Sequence, residues 1–434
     1  MGEPGTKSRS SRRPSSAPNL TMPNEVSERI DEEIKREAAA LREAKRKEVQ
    51  VLLLGQAESG KSTLQKQFQL LYAGQALESE RPSWRPVVYL NIIKALRMIL
   101  SELEFEFQAR KPDDPHTSDS VIAEINRLRT ALLPLVSIED SLASEINGGV
   151  SIPGGRSGAF VRSGWQKQVR SEQQSSVSEP LFVRLPETAH LAAKSISRSA
   201  DDIKALWRHD TVQHFIENKT IRLEESASFF LSHVDRIREP GYLPTTDDIL
   251  RVRLRTLGVI EHNFAVALGT KTYNWRLFDV GGARQAWVPY FDEAVSIIFL
   301  APISAFDQYL EEDPRVNRID DSLQLFTSIC QNKIFKDVHL VLMLNKTDLL
   351  KKKLASGIKI RKYITSYSDR PNTYEAAASY FRSHFVHSHR KHSDVGRTLY
   401  HHFTSMLDVK ATQKIIVDVG ESILQKHIKR VGLI

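Results

Sequence analysis

Cysteine and long apolar runs are scarce in this sequence. Cys330 is the only cysteine among 434 residues, which excludes an intramolecular disulfide framework and indicates a reducing compartment. No apolar run approaches the ~18 residues of a membrane-spanning helix, and Met1 is not followed by the apolar core of a signal peptide. Apolar residues still make up 41% of the chain, enough to bury one or two cores. We therefore expect a globular protein, cytosolic or peripheral to a membrane.

The formal net charge of +8 is unevenly distributed. Residues 1–20 hold four basic residues and one acidic residue, and residues 147–200 hold seven basic and three acidic residues. Both segments are rich in Ser, Gly and Pro and lack the periodicity of a folded core. Because the rest of the chain is nearly neutral, we expect no nucleic-acid-binding surface.

The first 24 residues are predicted to be a disordered basic tail. Gly2 and Thr6 match the spacing of an N-myristoylation signal, although Glu3 and Pro4 fit it poorly. The tail contains no cysteine, so palmitoylation is not expected there. One myristoyl chain anchors a protein only marginally, and the basic residues of the tail can supply the second attraction to a membrane.

Residues 25–48 predict a helix that binds a partner. Ser27 can cap this helix, and its opposite face is charged throughout. A narrow apolar stripe is typical of a helix that docks on another protein; a helix folded back on its own domain is the alternative. The stripe, at three- and four-residue spacing, consists of Val26, Ile30, Ile34, Ala38 and Leu41.

The strongest motif joins an apolar strand to a helix. Residues 49–54 are Val-Gln-Val-Leu-Leu-Leu, and residues 55–63 read Gly-Gln-Ala-Glu-Ser-Gly-Lys-Ser-Thr. This is a phosphate-binding loop, in which backbone N–H groups and a helix N-terminus face one anion. Lys61 is expected to reach the β- and γ-phosphates, and the Ser62 hydroxyl to bind Mg²⁺; a structural glycine turn is the alternative. The expected nucleotide contacts are Glu58, Ser59, Gly60, Lys61, Ser62 and Thr63.

Residues 77–248 predict an inserted, mostly helical domain. Helical periodicity covers residues 84–107 and 129–147 and resumes at about 201–238. Residues 148–200, which contain a Gly-Gly pair and Ser-rich runs, are predicted to be a disordered insert.

Residues 49–76 and 249–434 predict the α/β pattern of a parallel sheet with helices on both faces. Strands are expected at 272–279, 296–301, 338–344 and 397–403, and helices at 317–330, 374–385 and 413–429.

Two later strand ends predict which nucleotide binds. Residues 279–282 read Asp-Val-Gly-Gly; Asp279 can hold Mg²⁺ through water, and the Gly282 N–H can approach a γ-phosphate because no Cβ intervenes. Residues 345–348 read Asn-Lys-Thr-Asp. The Asp348 carboxylate matches the N–H donors of guanine, which adenine lacks; a turn acid at a strand end is the alternative. GTP or GDP is therefore expected, which makes a P-loop kinase or ATPase unlikely.

These motifs together resemble the alpha subunit of a heterotrimeric G protein. The resemblance runs from about residue 27 to 434, interrupted mainly by 148–200. It rests on the loop at 55–63, on Asp-Val-Gly-Gly and Asn-Lys-x-Asp, and on Asp-Ile-Leu-Arg-Val-Arg-Leu-Arg-Thr at 248–256. It also rests on the helical block with Val-Asp-Arg-Ile at 234–237. The implied fold is a Ras-like P-loop GTPase with an inserted all-α domain.

The resemblance also implies roles for single residues. Arg253 would be an arginine finger supplied by the chain itself, paired with Glu58, and Thr256 would join Ser62 on Mg²⁺. Asp235 would face the nucleotide cleft from the helical side. The other implied nucleotide contacts are Leu250, Arg251, Asn345, Lys346 and the backbone N–H of Met406.

Departures from the family pattern concern catalysis. Ala283 stands where the family has a glutamine that orients water, and the segment to Trp287 is about three residues short. Ala57 replaces a loop glycine, and Met406-Leu407 replaces Ala-Thr next to the base. We expect hydrolysis slower by a factor of ~10² or more. The alternative function is a scaffold, or an effector activator held in the GTP state.

The resemblance implies four kinds of partner. The helix at 25–48 and the second switch would bind a beta-gamma dimer, and the C-terminal helix, to Ile434, an activated seven-helix receptor. A downstream effector and the cytoplasmic face of the plasma membrane complete the set. The apolar stripe proposed for receptor docking consists of Ile423, His427, Ile428, Val431, Leu433 and Ile434.

Overall fold

The computed structural model describes residues 22–109, 115–147, 160–161, 165, 187–256, 258–281, 293–310, 312–394 and 396–432. The chain divides into two units, residues 1–48 and 49–434. The predicted tail, apart from its last three residues, lies outside the described residues, as does the second-switch segment 282–292. Among the described residues, no helix combines the length and the apolar character needed to cross a bilayer.

The first unit contains the helix α1 (Met22–Lys47). It begins three residues before the predicted start at residue 25. Ion pairs between Arg36 and Glu32 and between Lys47 and Glu43 run along its charged side. Three members of the predicted stripe are exposed: Ile30, Ile34 and Leu41.

The second unit begins with the predicted strand and phosphate-loop helix, β1 (Glu48–Leu54) and α2 (Lys61–Tyr72). A helical region follows. Its helices are α3 (Gly74–Glu80), α4 (Arg85–Gln108), α5 (Asp119–Val136), α6 (Glu139–Ile146), α7 (Glu187–Arg208), α8 (Asp210–Glu217), α9 (Ala227–Ser232), α10 (Val234–Ile237) and α11 (Thr246–Arg251). The apolar helix α4 is central and contacts α5, α6, α7 and α9.

The prediction that residues 148–200 are disordered is wrong for part of that segment. Helix α7 starts at Glu187, and Phe160–Val161 forms the short strand β2. Sequence reasoning missed the start of α7 because small residues carry its buried face there. The buried positions of α7 are Ala189, Ala192, Ile196, Ala200, Ile203 and Leu206.

The remaining elements form the sheet and its covering helices. After the short strand β3 (Arg255–Thr256) come β4 (Val259–Leu268), β5 (Lys271–Val280), β6 (Ser296–Pro302), α12 (Arg318–Gln331), β7 (His339–Asn345), α13 (Thr347–Ala355), α14 (Tyr374–His392), β8 (Leu399–Phe403) and α15 (Val409–Arg430). The strand order is β4-β5-β1-β6-β7-β8. β1, β6, β7 and β8 pair in parallel, and β4 pairs antiparallel to β5.

The doubly wound sheet carries an antiparallel strand at this edge, β4, which was not among the predicted strands. Buried and more exposed residues are interspersed along β4, and its buried apolar positions are Ile260, Phe264 and Val266. Such an edge strand lacks the continuous apolar run that marked the central strands.

Both faces of the sheet are covered, as the doubly wound prediction requires. Leu52 and Leu54 of β1 belong to a core with Phe326 of α12. Val51 and Leu53 face the opposite way, into a core with Phe68 of α2. Since alternate residues of β1 enter different cores, this strand lies in the middle of the α/β layer.

Helix α15 corrects the predicted receptor stripe. Ile423, His427 and Ile428 are buried at 0%, 3% and 8% exposure, and both isoleucines belong to the core that contains Phe68. These three side chains stabilise the domain and offer no surface to a partner. Val431 is half-buried, and residues 433–434 lie outside the described residues.

A buried histidine at the start of β7 predicts acid sensitivity. The His339 ring lies 4.6 Å from the Tyr400 ring, centroid to centroid. Burial, aided by the charges of Lys426 and Arg397, lowers the pKa of His339 from 6.5 to about 4. The unfolded chain takes up this proton near pH 6.5 and the folded chain only near pH 4, so the folded state loses stability as the pH falls through that window.

When the pH is lowered from 7 to 4.5, the free energy of unfolding in urea should fall by about 2 kcal/mol less for His339→Gln than for the parent. His401→Gln, a matched change at an exposed histidine of β8, should follow the parent. Identical pH profiles for the parent and His339→Gln would contradict the assignment.

Candidate functional site

The phosphate loop between β1 and α2 adopts a conformation that only glycine accepts at two positions. Gly55 has φ +141° and Gly60 has φ +104°. A Cβ on Gly55 would lie 2.4 Å from the Leu300 carbonyl oxygen, and one on Gly60 would lie 2.3 Å from Asn345 Nδ2. The loop therefore rests directly on β6 and on the end of β7, which brings the N-terminus of α2 to the carboxyl edge of the sheet.

Lys61 is held over this loop by backbone carbonyls. Its ammonium donates to the carbonyl oxygens of Gly55, at 2.8 Å, and Gln56, at 2.7 Å. The side chain is 7% exposed. Burial lowers its pKa to about 8, although the charge of Asp279 acts the other way. A desolvated cation at the N-terminus of a helix is suited to phosphate oxygens.

Ser62 and Asp279 form the candidate Mg²⁺ site. The Ser62 hydroxyl donates to Asp279 Oδ2 at 2.7 Å, and Asp279 is 2% exposed at the end of β5. A hydroxyl and a carboxylate are the hard oxygen ligands that Mg²⁺ prefers, so these residues fit that ion. Thr256 contributes its backbone to β3, and its side chain and Gly282 lie outside the described part of the chain.

The predicted guanine motif lies against the same loop. Asn345, 1% exposed, donates from Nδ2 to the Ser59 carbonyl at 2.7 Å. Its Oδ1 accepts from Thr404 Oγ1 at 3.2 Å. Asp348 follows in the first turn of α13. The motif thus joins three elements: the loop, β7 and the turn after β8.

Met406, predicted to contact the base through its backbone N–H, occupies the turn after β8. Its carbonyl accepts from Gln67 Nε2 at 2.8 Å, which ties the turn to α2. The side chain is 4% exposed and belongs to the core that contains Phe68. Its bulk is therefore absorbed by the core, a contact the sequence did not indicate.

Arg253 belongs to a network of ion pairs centred on Glu58 of the phosphate loop. It pairs with Glu58, as expected, and with Glu224 at 2.7 Å. Arg318, the first residue of α12, bonds Glu58 at 3.0 Å and the Ala57 carbonyl at 2.6 Å. Although burial opposes it, the charges of Arg253 and Arg318 hold the pKa of Glu58 below its usual range. The sequence gave no signal for Arg318, which reads as one of several charges at a helix start.

The prediction that Asp235 faces the cleft is not supported. Its carboxylate pairs with Lys204 at 2.9 Å and lies 3.7 Å from Arg238, inside the helical region. The carboxylates of that region that pair with predicted site residues are Glu224, on Arg253 at 2.7 Å, and Glu225, on Lys346 at 2.6 Å. Two consecutive glutamates shortly before a helix are usually exposed to solvent in a turn. The sequence alone therefore gave no reason to select Glu224 and Glu225.

Leu250 and Arg251 lie on α11, three and two residues before Arg253. Leu250 is 2% exposed. The Arg251 guanidinium lies 4.4 Å from the Phe229 ring and donates to Asp247 at 3.0 Å. With these side chains engaged elsewhere, any nucleotide contact from them would come from the backbone.

The glycine geometry gives a direct test of the site. Gly60→Ala places a Cβ against Asn345 Nδ2 at a φ that alanine adopts only with strain, so nucleotide affinity should fall by about tenfold to a hundredfold. Gly74→Ala, at a helix start with nothing within 4 Å, should bind like the parent. The measurement is titration with a fluorescent GDP analogue. Equal affinity in both variants would contradict the loop geometry.

The chain is similar to known proteins over most of its length. A family model described as the G-protein alpha subunit matches residues 24–423. The alpha-1 subunit of a guanine nucleotide-binding protein from Mycosarcoma maydis is 31% identical, over 93% of this chain and 95% of its own length. A subunit alpha-15 from Homo sapiens is 28% identical, over 96% of each chain. The chain belongs to the G-protein alpha subunit family.

Proposed function

We propose that this alpha subunit works as a GDP/GTP switch whose intrinsic hydrolysis is slow. The observation that carries the proposal is the assembly of Lys61, Ser62, Asp279 and the Arg253 network around the phosphate loop, in a chain with Ala283 at the position that would orient water. Guanine nucleotide binding and GTP hydrolysis follow from family membership. The rate, the residue roles and the partners are the proposal.

Each described residue has a separate task. Lys61 binds the β- and γ-phosphate oxygens; Ser62 and Thr256 would be the ligands of Mg²⁺, and Asp279 would support the ion through water. The metal, when bound, neutralises charge that develops on the phosphates. Asp348 selects guanine, and Asn345 keeps the loop and the base pocket in register. The remaining nucleotide contacts are proposed for Glu58, Ser59, Gly60, Thr63, Lys346 and the backbones of Leu250, Arg251, Gly282 and Met406.

Arg253 is the proposed catalytic cation. Its Nη1 meets Glu224 and its Nη2 meets Glu58, and each of these nitrogens carries a second N–H. The guanidinium can therefore keep both carboxylates and still turn N–H donors toward a γ-phosphate. The carboxylates place it before the reaction, which reduces the reorganisation needed in the transition state.

Two regions of the chain are proposed as partner surfaces. The exposed stripe of α1, with the second switch, would bind a beta-gamma dimer. The end of α15 beyond Ile428, continuing to Ile434, would bind an activated receptor. We place the protein at the cytoplasmic face of the plasma membrane, with Gly2 acylation and the basic tail as attachments; a downstream effector completes the pathway.

Ala283 predicts the kinetic behaviour. An alanine has no group that orients water, so Ala283→Gln should accelerate single-turnover hydrolysis of Mg²⁺-loaded GTP by about tenfold to a hundredfold. Ala283→Asn carries the same amide on a shorter arm and is the matched control, expected to stay near the parent. GTP affinity, measured in parallel, should be equal in all three proteins.

Two results would contradict this account. One is hydrolysis by the parent within minutes, and the other is a glutamine variant no faster than the asparagine variant. Tight GTP binding with no turnover in the parent would instead describe a protein held in its GTP state.

A further inference from the structure

A piece of the insert lies on the strand that follows Arg253. Strand β2 pairs in parallel with β3, with Phe160 opposite Arg255 and Val161 opposite Thr256. Strand β3 begins two residues after Arg253, the proposed arginine finger, and its second residue, Thr256, is the proposed Mg²⁺ ligand. The pairing therefore adds a strand to the part of the site that must be in place for catalysis.

A two-residue ladder is weak by itself, and an aromatic anchor stands beside it. Trp165, four residues after Val161, is 5% exposed. Its ring meets Trp84 edge-on, at 5.0 Å between centroids and 85° between planes. Trp84 is 4% exposed and directly precedes α4. The described residues of the insert before α7 thus touch the folded domain at β3, at α6 and at Trp84.

The Trp84 ring continues the contact to the phosphate-loop helix. Lys66 of α2 places its Nζ 4.6 Å from that ring. The same ammonium donates to the carbonyl oxygens of Ile249, at 2.7 Å, and Val252, at 3.4 Å. Lys66 is 4% exposed, so its ammonium has lost most of its contact with water. The two carbonyls and the ring replace those interactions.

A second tether fixes the same backbone from α4. Asn91 Oδ1 accepts from the Arg253 N–H at 3.0 Å, and its Nδ2 donates to the Arg253 carbonyl at 3.3 Å. Lys66 therefore holds the backbone before Arg253, Asn91 holds Arg253 itself, and β2 pairs with the residues after it. Trp165 packs against the Trp84 ring, which the Lys66 ammonium also contacts.

We infer that the insert positions the first switch: Trp165 and β2 hold residues 252–256 in the closed arrangement and slow the release of nucleotide. Trp165 is a positioning residue, since it acts through Trp84 and Lys66 and touches no nucleotide. The inference rests on the proposed switch function for its kinetic consequence, while the docking itself does not depend on nucleotide. Without the Trp165 ring, β2 no longer stays paired with β3, and the backbone from Arg253 to Thr256 becomes more mobile.

The kinetic test uses the full chain loaded with a fluorescent GDP analogue. Trp165→Ala should release nucleotide about threefold to tenfold faster, the range expected for an edge-on aromatic pair. Trp165→Phe keeps a ring for Trp84 and should return the rate to near that of the parent. Phe105→Ala removes an aromatic ring that is 64% exposed on α4 and should change nothing.

Hydrogen exchange of the amides of residues 252–256 separates the inference from the proposed function. Exchange there should be faster in Trp165→Ala than in the parent, with or without nucleotide, and unchanged in Trp165→Phe and Phe105→Ala. If the parent binds no guanine nucleotide but the exchange pattern holds, the switch function fails and the docking stands. Unchanged exchange and unchanged release in Trp165→Ala would overturn the inference.

A cross-link covers the case in which Trp165→Ala does not fold. Phe160→Cys with Arg255→Cys, in a Cys330→Ala background, places two thiols on directly paired residues, within the reach of a disulfide. Oxidation should slow nucleotide release relative to the same protein after reduction. Equal rates in the oxidised and reduced forms would show that holding β2 on β3 does not control the site.

Discussion

The site depends on the close approach of the phosphate loop to its neighbours in the sheet. Gly55 lies against the Leu300 carbonyl and Gly60 against the Asn345 amide, at separations that leave no room for a side chain. Because β1, β6 and β7 are parallel neighbours, with Leu54 paired to Phe299 and Pro302 to Asn345, their carboxyl ends coincide. Open α/β sheets bind ligands at this edge, and the contact gives Lys61 and Ser62 their positions.

A second layer of charge closes over this loop from the helical region. Arg253 lies between Glu58 and Glu224, and Lys346 meets Glu225. Further along the same boundary, Asp307 pairs with Lys219 at 3.0 Å and also with Lys353. Single exposed ion pairs contribute little, but a partly buried network is stronger because its members share partners. Three of these pairs, Glu224–Arg253, Glu225–Lys346 and Lys219–Asp307, join the helical region to residues outside it.

The sequence predicted most strongly those features that backbone chemistry dictates. The loop at 55–63, the central strands and the Asn345 motif follow from glycine spacing and from continuous apolar runs, so their places were predictable. β4 was missed because an edge strand needs only alternate apolar residues, and the start of α7 because alanines carry its buried face. Glu224, Glu225 and Arg318 act through partners distant in sequence, and a single sequence does not show such pairings.

The end of α15 was predicted to bind a partner but is buried in the protein's own core. An apolar stripe that suits a partner's groove suits the protein's own core equally well, and Ile423, His427 and Ile428 enter the core. Periodicity identifies an apolar face but not what covers it. For α1 the exposed Ile30, Ile34 and Leu41 leave the partner interpretation in place as a proposal.

Competitive binding tests the central claim, that the loop and Asp348 together select a guanine nucleotide. The purified full chain, loaded with a fluorescent GDP analogue in Mg²⁺, is titrated with unlabelled GDP, GTP and ATP. The account predicts displacement by GDP and GTP at similar concentrations and none by ATP at a large excess, since adenine offers no donors to the Asp348 carboxylate. Displacement by ATP as effective as that by GTP would contradict it.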